Sequence, residues 1–324
     1  MSHAARLRFA VALLGGWGCS PAPEAPGDPL DDALDETIDW AAEAQSDWLA
    51  FYSPDYVVPA FSDQTMCTFA TYTGPDVGIP WAGFFQHEDY GHHVVLMSTT
   101  ADEDDWPDGT VADCTRTDAD IMVEARPFLF AGGEAGSVES LEMQLPDGMA
   151  IKLKEGQRFV IQSHHINYKD EPIRVNDVVF LETVGIAEVD TFAAPWVHTQ
   201  TDLAIPPGAS MSIEVDCAFD ADVHLLSVLG HLHEWGASYS VDHDRADGTR
   251  ARIYDIPEWD VSYRDAPPTT VFAPGAFPVQ QGESFTSTCS WVNDTPDVLE
   301  FPVEMCATVG FAYPLTVPMI CSAD

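Results

Sequence analysis

The sequence predicts an all-β protein built from two antiparallel β-sandwich domains. Three observations lead there. From residue 92 to residue 293 the chain falls into short alternating or apolar runs separated by Pro, Gly and Asp. Stretches with helical spacing are few. The 324 residues, 46% hydrophobic, suffice for two cores of ordinary size. Short strands at such intervals are the pattern of sandwiches and barrels.

The elements follow in order. The opening "MSHAARLRFAVALLGGWGCS" places Arg6 and Arg8 before the apolar run from Phe9 to Leu14, then small residues and Cys19. This is an export signal over residues 1–19, too short to span a bilayer permanently. Cys19 resembles a bacterial lipoprotein processing site, with Gly16 and Trp17 where Leu and a small residue are usual. Plain secretion is the other reading. "SPAPEAPGDPLDD" continues as a Pro- and acid-rich tether, assigned to residues 20–38. "DETIDWAAEAQSDWLAFY" reads as a short amphipathic helix or as the lead-in to a first strand. Strand-like runs follow: "HHVVLMS", "DIMVEAR", "MAIKLK", "RFVIQSHHINY", "RVNDVVFLE", "MSIEVDCAF", "VHLLSVLGHLH" and "ESFTSTCSWVN". A boundary near "TVGIAEVD" divides the chain into domains of residues 39–185 and 186–324.

The net charge of −40, from 53 acidic and 13 basic residues, argues against nucleic acid as a partner. An acidic, solvated surface is the expectation. Membrane contact is expected only through a lipid on Cys19. After Cys19 six cysteines remain, Cys67, Cys114, Cys217, Cys289, Cys306 and Cys321, an even number that points to disulfides in an exported chain. Spacing alone does not choose their pairing.

The histidines carry the chemistry. "LGHLHEWG" sets His231 and His233 two apart, which on a strand puts both rings on one face. On "RFVIQSHHINY", His164 shares a face with Gln162 and Val160, and His165 with Ser163 and Ile161, so only one histidine can face a given site. His92 and His93 are adjacent. They can share a metal only at a strand end or bulge, or through different ring nitrogens. For His3, His87, His198, His224 and His243 the expected fate is an ordinary hydrogen-bonded, half-buried histidine.

The order "GHHVVLM", "IQSHH", "GHLHEWG" and "VEMCATVGFAY" resembles the copper type II, ascorbate-dependent monooxygenases, the family of peptidylglycine α-hydroxylating and dopamine β-monooxygenases. The motifs span residues 92–313. The resemblance implies two jelly-roll-like sandwiches bearing two mononuclear copper sites across a cleft. His92, His93 and His164 match the three-histidine site, and Gln162 matches the family's glutamine beside it. His231, His233 and Met305 match the site where O2 is activated. Electrons are supplied from the three-histidine copper, and a reductant such as ascorbate loads both. The resemblance also pairs Cys67 with Cys114, Cys217 with Cys321, and Cys289 with Cys306. The ligand types suit this chemistry: thioether sulfur favours Cu(I), and imidazole serves both oxidation states.

Substrate contacts differ. Peptide-amidating members carry an arginine at the position of Leu229, and Asn and Tyr at the positions of Ala307 and Val309. The carboxylate clamp is missing, so the expected substrate is a small, neutral or apolar molecule rather than a peptide ending in glycine. The functional expectation is C–H hydroxylation. Two alternatives stand beside it: an exported protein that stores or delivers copper without catalysis, and a zinc hydrolase. Zinc accounts for three histidines with an open position but not for Met305. For Met305 alone, a core methionine is the plainer reading.

Overall fold

The computed structural model describes residues 33–42, 48–87, 89–114, 121, 125–129, 141–264, 266–301 and 303–322. The leader with Cys19, His3 and most of the tether lie outside these residues. The described chain is nearly all β; apart from the helical Ile121, it has short 3-10 turns such as Trp40–Ala42, which stands where the amphipathic helix was an option. Among the described residues no helix is long and apolar enough to cross a membrane.

One large sheet organises the molecule. Its path runs from Leu49–Tyr52 through Val178–Gly185, Val77–Phe85 and Met149–Leu153 to Thr191–Gln200, Cys306–Tyr313, Val223–Leu225 and Pro278–Val279. Met149–Leu153 pairs in parallel with Thr191–Gln200, so the sheet continues across the position of the sequence boundary, with Ile151 opposite Ala193. A five-stranded sheet lies over the first half, in the order Val111–Asp113, Ser62–Thr71, Arg158–Asn167, Gly91–Thr99, Ala125–Leu129. A four-stranded sheet, Ser210–Ala218, Ser284–Val292, Gly236–Asp244, Arg250–Ile256, lies over the second.

Alternation along the shared strand shows how the layers stack. Ala193 belongs to the first core with Phe51, Ile79, Leu96, Phe159 and Ile161. Trp196, three residues on and hence on the opposite face, belongs to the second core with Val228, Tyr239, Phe285 and Trp291. The two covering sheets therefore sit on opposite faces of the large sheet. Apolar burial on this scale is the main stabilising term.

The predicted runs form strands with three local differences. "RVNDVVFLE" breaks into Ile173–Val175 and Val178–Gly185. Asn176 accepts from the Ile38 amide and donates to the Ile38 carbonyl, tying down the lead-in, and Asp177 turns into the interior. The strand expected over "DIMVEAR" is described as Ala125–Leu129. "VHLLSVLGHLH" divides into Val223–Leu225 and Ser227–His231, and the strand ends before His233.

Three disulfides, Cys67–Cys114, Cys217–Cys321 and Cys289–Cys306, close the structure in the pairing the resemblance implied. Each contributes on the order of 2–4 kcal/mol by restricting the unfolded chain.

Candidate metal centres

The five-stranded sheet brings His92, His93 and His164 together. His164 lies opposite His93, and His165 opposite Gly91, so His92 is the extra residue of a β-bulge at the start of its strand. That bulge is what lets two consecutive residues turn to the same side. Gly91 is required there: a Cβ would lie 2.5 Å from the Gln86 side chain and 2.8 Å from the His87 carbonyl. The ring centroids of His92 and His93 lie 4.7 and 4.9 Å from that of His164. One ring nitrogen from each histidine falls within 4.8 Å of the others, close enough for one ion.

His164 is oriented by Asp63, which its Nε2–H reaches at 2.5 Å. Its Nδ1 is buried without a hydrogen-bond partner. An orphaned buried acceptor costs free energy unless something occupies it. A metal ion meets that need, and a carboxylate behind the ligating imidazole is a common support in metal sites. The hydrogen bond from His164 holds the Asp63 carboxyl below the usual carboxylate range; partial burial opposes this, and the charges of His164, Arg264 and His92 reinforce it. Arg264 belongs to the second half of the chain, whose 3-10 turn Val261–Arg264 thus comes within electrostatic reach of the first centre. Gln162 is half-buried, on the same strand face as His164 and opposite Cys67 and Val95.

His165 faces the other way and is fully buried. Tyr56 Oη lies 2.7 Å from its Nδ1 and donates to Asp177 at 3.0 Å, while Nε2 stands 3.3 Å from the second Asp177 oxygen, poorly directed for a hydrogen bond. Burial pushes the Asp177 carboxyl up, but His165 and the hydrogen bonds outweigh it and leave the group below its ordinary range. This network locks the strand behind His164. It has no solvent access.

In the second half, the rings of His231 and His233 meet edge to face at 5.0 Å. They do so although the strand ends at His231. His231 lies opposite Ala307, the last pair of this ladder, and beyond it the His233 amide donates to Glu304 Oε2 at 3.0 Å, next in sequence to Met305. His233 Nδ1 donates to the Val303 carbonyl at 3.0 Å, which fixes the tautomer and leaves the Nε2 lone pair for a ligand. His164 offers Nδ1 and His233 offers Nε2, so the two centres would use different ring nitrogens.

Leu229 lies opposite Val309 in the same ladder. Two of the three positions where the sequence lacks the expected clamp residues, Leu229 and Val309, are therefore cross-strand neighbours beside His231, and the third, Ala307, is directly opposite it. Together they form an apolar strip with no charge for a carboxylate. Val197 lies opposite Val309 and shares the alternation of Ala193, so this strip is on the face of the large sheet that the five-stranded sheet covers nearby.

Among the described residues, the remaining histidines have other partners. His198 is buried at 3.2 Å from the Ser287 hydroxyl, His243 is 3.0 Å from Glu283, His87 is 3.6 Å from Glu36, and His224 stacks on Tyr313 at 5.2 Å. Sequence reasoning missed two supporting carboxylates. Asp63 was visible as a charge on the Cys67 face of the run "SDQTMCTFA". Glu304 was visible as an acid beside Met305 and Cys306.

No family model and no curated protein matches the chain. Solved structures with partial likeness include viral ones. The major capsid protein P2 from bacteriophage PM2 aligns at 10% identity over 82% of this chain and 97% of its own, with a TM-score of 0.34. An archaeal virus structure described by its triple jelly roll fold and turret assembly aligns at 9% identity over 83% and 61%, TM-score 0.24. A structure of infectious bursal disease virus, Gt strain, aligns at 8% identity over 82% and 73%, TM-score 0.21. Likeness of this degree carries no argument about function or assembly.

Proposed function

We propose that the protein is an exported copper-dependent monooxygenase that uses O2 and a reductant such as ascorbate to hydroxylate a C–H bond of a small, neutral or apolar organic molecule. The observation that carries this reading is the convergence of one ring nitrogen each from His92, His93 and His164 within 4.8 Å at a bulge, where His164 also has a buried nitrogen without a hydrogen-bond partner. The His231–His233 pair, with His233 hydrogen-bonded to Val303 and Glu304 just before Met305, adds a second, softer donor set. Copper bound at the two centres would supply the one-electron redox chemistry and O2 binding that hydroxylation needs.

The chain's own groups do the rest. Asp63 orients His164, and the Val303 carbonyl orients His233. Leu229, Val309 and Ala307 present an apolar wall beside His231 that favours a hydrocarbon portion and leaves a carboxylate unpaired. The three disulfides indicate an oxidising compartment. With the leader and Cys19, we assign the protein to the periplasm or cell surface as a lipoprotein, or to the secreted fraction.

The test is copper-loaded protein with ascorbate, a metabolite mixture and isotopically labelled O2. One labelled oxygen atom in a product, dependent on both copper and reductant, supports the reading. Two coppers per chain with no labelled product across a broad panel would identify a copper store or carrier instead. Zinc bound in preference to copper would defeat both.

A further inference from the structure

Glu304 is fully buried, and each of its partners is an N–H group. Oε2 accepts from the His233 amide at 3.0 Å, the Trp291 indole at 2.9 Å and the Met305 amide at 3.3 Å, and Oε1 accepts from the Trp235 amide at 2.8 Å. Fully burying a carboxylate is expensive even when it is well hydrogen-bonded. Simple closure of the turn after His231 does not require a charge, since a neutral acceptor could hold the same amides.

The placement is what distinguishes it. The turn carrying His233 leaves its strand at His231, and the segment carrying Met305 enters its strand at Cys306. Glu304 joins the two, gripping His233 and Trp235 on one side and Met305 on the other. Cys306 is bonded to Cys289, and the indole donor Trp291 lies on the same strand Ser284–Val292. Met305 is therefore held between a carboxylate and a disulfide that share one anchor strand.

We propose that Glu304 is the positioning residue of the second copper centre: it sets the spacing between His233 and Met305 and supplies a fixed buried negative charge that a bound cation offsets. The inference rests on the copper reading of that centre. The charge favours Cu(II) over Cu(I), and the four N–H donors moderate it. Opposite signatures follow. Glu304→Gln removes the charge and turns one acceptor into a donor facing N–H groups. Loss of a group behind a metal ligand typically weakens binding about 10–100-fold. Cu(II) should weaken more than Cu(I), and an affinity ratio changed about tenfold corresponds to a potential about 60 mV higher for one electron. Trp291→Phe keeps the charge and deletes one donor, so the ratio should move toward Cu(II).

The experiment titrates the full chain with Cu(I) and Cu(II) under competing chelators and records the electron paramagnetic resonance spectrum of each centre. Expected are opposite shifts for the two variants at the His231–His233 centre, with the His92–His93–His164 centre unchanged in both. If Glu304→Gln does not fold, Trp291→Phe decides alone: a shift toward Cu(II) supports the proposal and none overturns it. Shifts in the same direction, or no shift while the wild type binds two coppers, would overturn the role of Glu304 and leave the copper reading standing. Failure of the wild type to bind copper at this centre would instead overturn the copper reading.

Discussion

Replacing Gly230 by alanine puts one methyl group between the strand of His231 and the core beneath it. A Cβ at this position would lie 2.1 Å from Tyr239 Cδ1, 2.3 Å from Cε1 and 2.6 Å from Cγ. Tyr239 cannot step back freely. It is buried, and its hydroxyl donates to the Ala307 carbonyl at 2.9 Å and lies 2.5 Å from Thr308 Oγ1. Overpacking of this kind costs about 1–3 kcal/mol. Breaking the buried hydroxyl bond to make room adds about 1 kcal/mol. The expected loss is therefore about 2–4 kcal/mol. It should fall on Gly230, which is opposite Thr308, and on its neighbours Leu229 and His231. Denaturant unfolding measures the stability, and copper titration measures the second centre, which should weaken while the first stays intact. A double-mutant cycle with Tyr239→Ala isolates the cause: in that background Gly230→Ala should cost little, because the ring it strikes is gone. A single variant within 0.5 kcal/mol of wild type would refute the packing argument.

Three further outcomes follow from the same contacts. Asp63→Asn should weaken metal at the His92–His93–His164 centre about 10–100-fold and leave the other unchanged, measured by chelator competition, because the carboxylate that orients His164 is lost. Burial pushes the His198 imidazole down to about 4, against the smaller upward pull of Asp216. The unfolded chain therefore takes up this proton near pH 6.5 and the folded chain only near pH 4, so stability falls as the pH drops through that window, by about 3 kcal/mol. His198→Leu should flatten that part of the acid-unfolding profile, and parallel profiles would contradict the assignment. Removing the Cys67–Cys114 bridge by paired serine substitution should lower stability by about 2–4 kcal/mol, read from the unfolding midpoint.

Much of this architecture was legible because strand alternation is a local signal. The Cys67, Val95 and His164 faces follow from counting by two, and the adjacency of His92 and His93 left a strand end, a bulge or different ring nitrogens as the ways to share a metal, of which the structure has a bulge at a strand start. The parts that were not legible depend on contacts between distant residues. That Met149–Leu153 pairs in parallel with Thr191–Gln200, joining the halves into one sheet, has no trace in either run. "NDVV" reads as strand, although Asn-Asp is turn chemistry, and the break becomes necessary only when Ile38 arrives to meet Asn176. His233 seemed fixed by strand geometry with His231. Its place is set instead by Glu304 and Val303, about seventy residues away. Glu304 itself looked like one acid among many in a highly acidic chain. Its burial comes from donors on three separate segments.

X-ray absorption at the copper edge of the reduced, copper-loaded protein asks whether a thioether completes the His231–His233 centre. Met305 sits between Glu304 and the bridged Cys306, and the Met305→Leu change nearly conserves volume, so it should cost less than about 1.5 kcal/mol of stability. One copper–sulfur contact shared over two coppers per chain is expected in the wild type. In Met305→Leu that contact should be absent, with Cu(I) affinity at the second centre and O2-dependent turnover falling steeply while the unfolding midpoint hardly moves. A wild-type spectrum with nitrogen and oxygen neighbours only, or a Met305→Leu protein with unchanged Cu(I) affinity and turnover, would contradict it.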